Sequence, residues 1–118
     1  MTIRRMKTYT GGQGYVYQYY FVGQRPAVEP GASATEYVFD VTSDRKTTYA
    51  VSVLIDKSGL EAWSQDHGRS PTDAEQYAAA KMRLFKAFDE VENMMADGRV
   101  LHVDRPSLDE AFSTLGVE

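Results

Sequence analysis

Histidine–carboxylate chemistry in this chain would have to be built from Asp66, His67, His102 and Asp104, because only two histidines are present. Their spacing has no short metal-ligand pattern, so neither a metal centre nor an acid–base pair is indicated. His67 falls at an expected helix C-terminus, where a cation is favoured. His102 falls in an expected strand, where a hydrogen-bonded structural role is commonest. Lys81 is the other candidate. On a helical wheel it lies between Tyr77, Phe85 and Phe88, with Glu92 on the same sector. The two are roughly 16 Å apart at helical rise and cannot pair. Both are expected at the flank of the apolar stripe, their methylenes covering it. If Lys81 were buried, it would need an acid such as Asp40 or Asp56 or its pKa would fall, and only then would it suit catalysis.

Other chemistries fare worse. Cysteine is absent, which removes thiolate ligands, cysteine nucleophiles and disulfides. Ser58 and Ser64 have no nucleophile-elbow setting and no histidine partner. Gly12-Gln13-Gly14 precedes a strand instead of joining a strand to a helix, and no Lys-Ser or Lys-Thr pair follows. It reads as a turn. No catalytic residue, cofactor or metal is assigned.

The run Tyr15 to Val22, Tyr-Val-Tyr-Gln-Tyr-Tyr-Phe-Val, is richer. Odd positions carry Tyr15, Tyr17, Tyr19 and Phe21, while even positions carry Val16, Gln18, Tyr20 and Val22. Both faces of this strand are therefore expected to be covered, by the core or by another molecule. Gly14-Tyr15-Val16-Tyr17 is similar to the aromatic strand of RNA-recognition motifs, whose rings stack on bases. The similarity spans about eight residues. Gln13 stands where that strand leads with a basic residue, Val16 where it has a small one, and the β-β-β order here differs. It implies single-stranded nucleic-acid binding as an alternative function.

Charge is uneven. The net charge is −4, yet residues 1–25 hold Arg4, Arg5, Lys7 and Arg25 with no acid, leaving −8 for the rest. An acidic body disfavours general nucleic-acid binding. Near the end of the expected long helix, Asp89, Glu90, Glu92 and Asp97 surround Met94 and Met95. Acids around adaptable thioethers suit a protein contact.

These residues need positioning elements. At 118 residues the chain fits a single domain, 1–118, with 1–13 expected as a flexible N-terminal arm in which Ile3 to Thr8 pairs weakly at an edge. Gly23 to Ala34, with Pro26, Pro30 and Gly31, reads as a loop. Alternation through Tyr37, Phe39 and Val41, a turn at 43–46, then Tyr49, Val51, Val53 and Ile55 predicts a hairpin with its odd face buried. Ser58 and Glu61 predict a capped short helix containing Trp63, stopped by Gly68. Ser70 or Thr72 opens the major helix, whose periodicity runs to Gly98. Unbroken from Pro71 to Asp97 it would span about 40 Å, so its last turns should bend or project. A short strand over 100–103 and a helix from Ser107 with Glu110 to Gly116 complete the order β-β-β-α-α-β-α. The expected fold is thus α+β: a three-stranded antiparallel meander plus a short fourth strand, packed on one long helix and two short ones.

The function expected is protein binding or homo-oligomerisation without catalysis, with interface candidates Tyr15, Tyr17, Tyr19, Tyr20, Phe21, Arg25, Glu90, Met94 and Met95. A homodimer paired along the first strong strand is the simplest form. An acidic inhibitor or immunity-type protein that neutralises a basic partner is a more specific one. An enzyme using Lys81 or His67 beside the 23–34 loop is the rival. No run reaches membrane-spanning length, the charged start lacks an apolar segment after it, and the expected location is cytoplasmic.

Overall fold

A computed structural model describes residues 6–29 and 32–117. The elements are β1 (Lys7–Thr10), β2 (Val16–Glu29), β3 (Ala32–Thr42), β4 (Tyr49–Asp56), α1 (Lys57–His67), α2 (Asp73–Glu90), α3 (Met94–Asp97), β5 (Val100–Val103) and α4 (Arg105–Leu115). The fold class is α+β, as expected. The five strands lie in sequence order, antiparallel from β1 to β4, with β5 parallel to β4. A parallel neighbour requires a crossover, and α1, α2 and α3 supply it.

Odd-numbered strand residues form one buried layer. Tyr17, Tyr19, Tyr37, Phe39, Val41, Tyr49, Val51, Val53 and Ile55 join Trp63, Leu84, Phe88 and Phe112 in the core. Tyr77 and Phe85, expected in the core, pack against it half-buried. The even-numbered layer does not join the core. Val16 and Val100 are exposed, Gln18, Tyr20, Val38 and Asp40 are half-buried, and Leu54 is buried outside the main core cluster. The expectation that both faces of 15–22 are covered is therefore met only at Tyr17 and Tyr19; Tyr15 and Phe21 on the same face, and Val16 and Val22 on the other, are exposed. Polar partners make the other tolerable: the Tyr20 hydroxyl donates to Asp40 at 2.7 Å and Arg25 pairs with Glu36 at 2.6 Å.

Several local expectations change. The stretch read as an arm contributes β1, whose Lys7 to Thr10 pair with Tyr19 to Val16 of β2; residues 1–5 lie outside the described residues. Of the stretch 23–34 read as a loop, residues 23–29 and 32–34 are strand, and Pro30 and Gly31 lie outside the described residues. β2 continues to Glu29 and pairs with β3 from Ala32, so the ladder outweighs the turn preference of Pro26, which sits where β2 has no β1 partner. A register shift between Phe21 and Gly23 absorbs the irregularity and turns Arg25 to face Glu36.

The helix ends are partly as read. Thr72 and Glu75 form the reciprocal capping box, and Gly68 and Gly116 close α1 and α4 in the left-handed region. Ser58 and Ser107 do not cap; Asp56 and Asp104 occupy those positions, and Asp104 accepts from the Ser107 N–H at 3.0 Å. The long helix breaks. α2 ends at Glu90, Val91 is extended, and the Asn93 side chain caps α3 by accepting from the Ala96 N–H. Among the described residues no helix is long and apolar enough to cross a membrane.

Candidate functional site

The β1–β2 turn is fastened to the C-terminal end of α2. Asp89 accepts the Tyr9 hydroxyl at 2.9 and 3.0 Å and the Gly12 N–H at 2.8 Å, while the Gln13 side-chain amide donates to the Glu90 carbonyl at 3.1 Å. Gly11 makes the approach possible. A Cβ there would lie 2.5 Å from the Phe88 carbonyl oxygen, closer than atoms pack. The glycines thus serve helix docking, and Asp89, grouped from sequence with the acids of a protein contact, is the clamp.

This junction places two sequence-distant groups together. Tyr15 and Tyr17 follow the turn, Met94 and Met95 sit on α3, and all four line one depression of about 510 Å³ with Ser43, Tyr49, Glu92, Asn93 and Asp97. Tyr17 stacks on Phe88 with ring centres 4.2 Å apart, and Tyr15 meets Tyr17 edge-on at 6.4 Å. Met94 is buried beneath, whereas Tyr15 and Met95 stay 49% and 45% exposed. The result is an apolar wall and floor with an open side.

Apart from Asn93, which caps α3, several of its polar groups are unspent. Tyr17 and Tyr49 are only 2% and 7% exposed, yet neither hydroxyl has a hydrogen-bond partner among the described residues. Because no buried side-chain oxygen is left sealed without a partner, these hydroxyls must reach the surface that the depression provides. Burial, with the Tyr17 phenol nearby, pushes the Tyr49 phenol up to about 12. Glu92 and Asp97 make no ion pair among the described residues. The nearby Arg99 guanidinium is engaged otherwise, 5.6 Å above the Tyr49 ring and donating to the Ala50 carbonyl.

A second cleft, about 350 Å³ between α2 and α4, contrasts with it. There Tyr9 is paired with Asp89, Lys86 with Glu110 at 3.5 Å, and Arg83 with the His102 carbonyl at 3.0 Å.

The remaining interface candidates are dispersed. Tyr19 is buried in the core, Tyr20 lies on the open sheet face, and Phe21 packs on Tyr77 at 4.9 Å. Arg25 is exposed on the β2–β3 hairpin with Glu36, and Glu90 is exposed at the end of α2. Since Tyr17 and Tyr19 turn into the core, the run does not present them as a platform for stacking bases. The catalytic candidates do not meet. His67 stacks on Trp63 at 3.9 Å with Nδ1 at 2.9 Å from the Trp63 carbonyl, and His102 is exposed on β5. Lys81 lies 5.6 and 5.8 Å from the Tyr77 and Phe85 ring centres. Burial and then the Lys7 ammonium lower its pKa. Asp40 faces Tyr20 on the open side of the sheet and does not serve Lys81. Asp104 is spent as a helix cap.

Sequence reasoning missed Tyr49, Ser43 and Asn93 as site residues. Tyr49 was assigned to the core by its alternation, which is correct for its ring; only its hydroxyl reveals the second role. Comparison of the chain with protein-family models, with curated proteins and with solved structures yields no match.

Proposed function

We propose that this chain is a non-catalytic protein-binding domain whose contact face is the depression between the β1–β2 turn and α3. The observation that carries the reading is convergence: Tyr15, Tyr17, Met94 and Met95 come from opposite ends of the chain to one concave surface. Aromatic anchors and methionines are the residue types enriched where proteins bind each other. Acids at the rim, on a chain of net charge −4, suit a basic partner, so an inhibitor or immunity-type role against a basic protein is the specific form favoured.

Self-association is the second reading. β2 is flanked by β1 only along Val16 to Tyr19, which leaves Tyr20 to Glu29 paired on one side among the described residues. Such an edge is a template for a second copy.

Mass measurement at two protein concentrations, followed by recovery of partners from the native host with wild type and Met95→Asp, separates the readings. A partner lost with Met95→Asp supports the first; concentration-dependent dimerisation insensitive to that change supports the second. A strict monomer that recovers nothing refutes both.

A further inference from the structure

The depression has a chemistry more specific than protein contact. Its lining includes two carboxylates, three phenols and two thioethers, and no lysine, arginine or histidine. An anion would have to sit beside both carboxylates, with no lysine, arginine or histidine in the lining to offset them. A purely apolar group would leave the Tyr17 and Tyr49 hydroxyls covered without partners, which is costly. A cation with several N–H donors resolves both problems. Arg99 already shows that the Tyr49 ring carries a guanidinium from this chain, 5.6 Å from its centre.

We infer that the depression takes the cationic end of an arginine or lysine side chain, its charge met by Glu92 and Asp97 and its N–H groups by the phenolic oxygens of Tyr17 and Tyr49. Tyr15 and Met95 flank the aliphatic stem, and Met94 forms the floor. The inference rests on the protein-binding reading and names what the partner presents. The volume, about 510 Å³ and open on one side, is enough to admit the end of one long side chain.

The test is a titration of the full chain, labelled at its methionine methyls, with N-acetyl-arginine amide and with the neutral citrulline counterpart. Saturable shifts of the Met94 and Met95 methyls with the arginine compound are expected, with the citrulline compound at least about tenfold weaker. Glu92→Gln with Asp97→Asn, both exposed positions that leave the fold intact, should weaken arginine binding by about tenfold. Tyr49→Phe keeps the ring and should weaken it severalfold. Equal response to both compounds, or no methyl response, overturns the inference. The two readings fail separately. A partner recovered through Met95 that is indifferent to the Glu92 and Asp97 changes overturns the cationic occupant and leaves protein binding standing. Arginine-specific shifts with no recoverable partner overturn protein binding alone.

Discussion

Gly11→Ala should be strongly destabilising, although it adds a single methyl group. The added Cβ would sit 2.5 Å from the Phe88 carbonyl oxygen, 3.2 Å from its carbon and 3.4 Å from a Tyr17 ring carbon. The first two belong to the backbone of α2 and the third to a buried stacked ring, so the turn must lift instead. Overpacking of this kind costs about 1–3 kcal/mol. Lifting also lengthens the Gly12 and Tyr9 bonds to Asp89, and losing a hydrogen bond to a charged group costs about 1.5–3 kcal/mol, less where it is solvent-exposed. A total of about 2–4 kcal/mol follows, which for a chain of 118 residues is a Tm decrease of about 8–16 °C. Urea denaturation at equal m measures it. Gly12→Ala is the control: its Cβ would meet Asp89 at an ordinary 3.6 Å, and its cost should stay within about 0.5 kcal/mol. If Gly11→Ala unfolds at the wild-type midpoint, or Gly12→Ala is equally harmful, the docking argument is wrong.

Three further outcomes follow from the same geometry. Because burial raises the Tyr49 phenol from 10.0 to about 12, the fold favours its protonated form; that contribution is complete below about pH 10 and disappears as pH rises to about 12. Phenolate absorbance of wild type should show a step near pH 12 that Tyr49→Phe lacks; if Tyr49→Phe instead removes absorbance that rises near pH 10, the reasoning is wrong. Glu75 is held at about 2, first by Arg69 and then by the Thr72 N–H. Its contribution is complete above about pH 4.5 and is lost as pH falls toward about 2, so Glu75→Gln should flatten the acid limb of a stability–pH curve. Asn93→Ala removes the cap of α3 at a cost of about 0.5–1 kcal/mol, and amide exchange at Ala96 should accelerate without comparable change in the Phe39 strand.

The parts of the fold governed by local periodicity were legible. Alternation placed Tyr37 to Val41 and Tyr49 to Ile55 on one buried face, and turn chemistry located Gly68, Gly116 and the Thr72–Glu75 box. What was not legible depends on partners distant in sequence. Pro26 suggested a loop because composition does not reveal that its stretch of β2 lacks a β1 partner. Ser58 with Glu61 had capping spacing, but β4 runs directly into α1 and gives the position to Asp56. At the site, Tyr15, Tyr17, Met94 and Met95 stood out by type. Their meeting depends on the Asp89 clamp and on Tyr49 and Ser43 from around the β3–β4 turn, tertiary facts with no signature in any short window.

Photo-crosslinking in extracts of the native host, with the reactive residue at Met95 or at Val100, tests the contact face most directly. Val100 lies on the open sheet face and is the more exposed of the two, 55% against 45%, so accessibility alone would favour it. A discrete protein adduct at Met95 and none at Val100 is the predicted result. An adduct confined to Val100, or none at either position, would contradict the account.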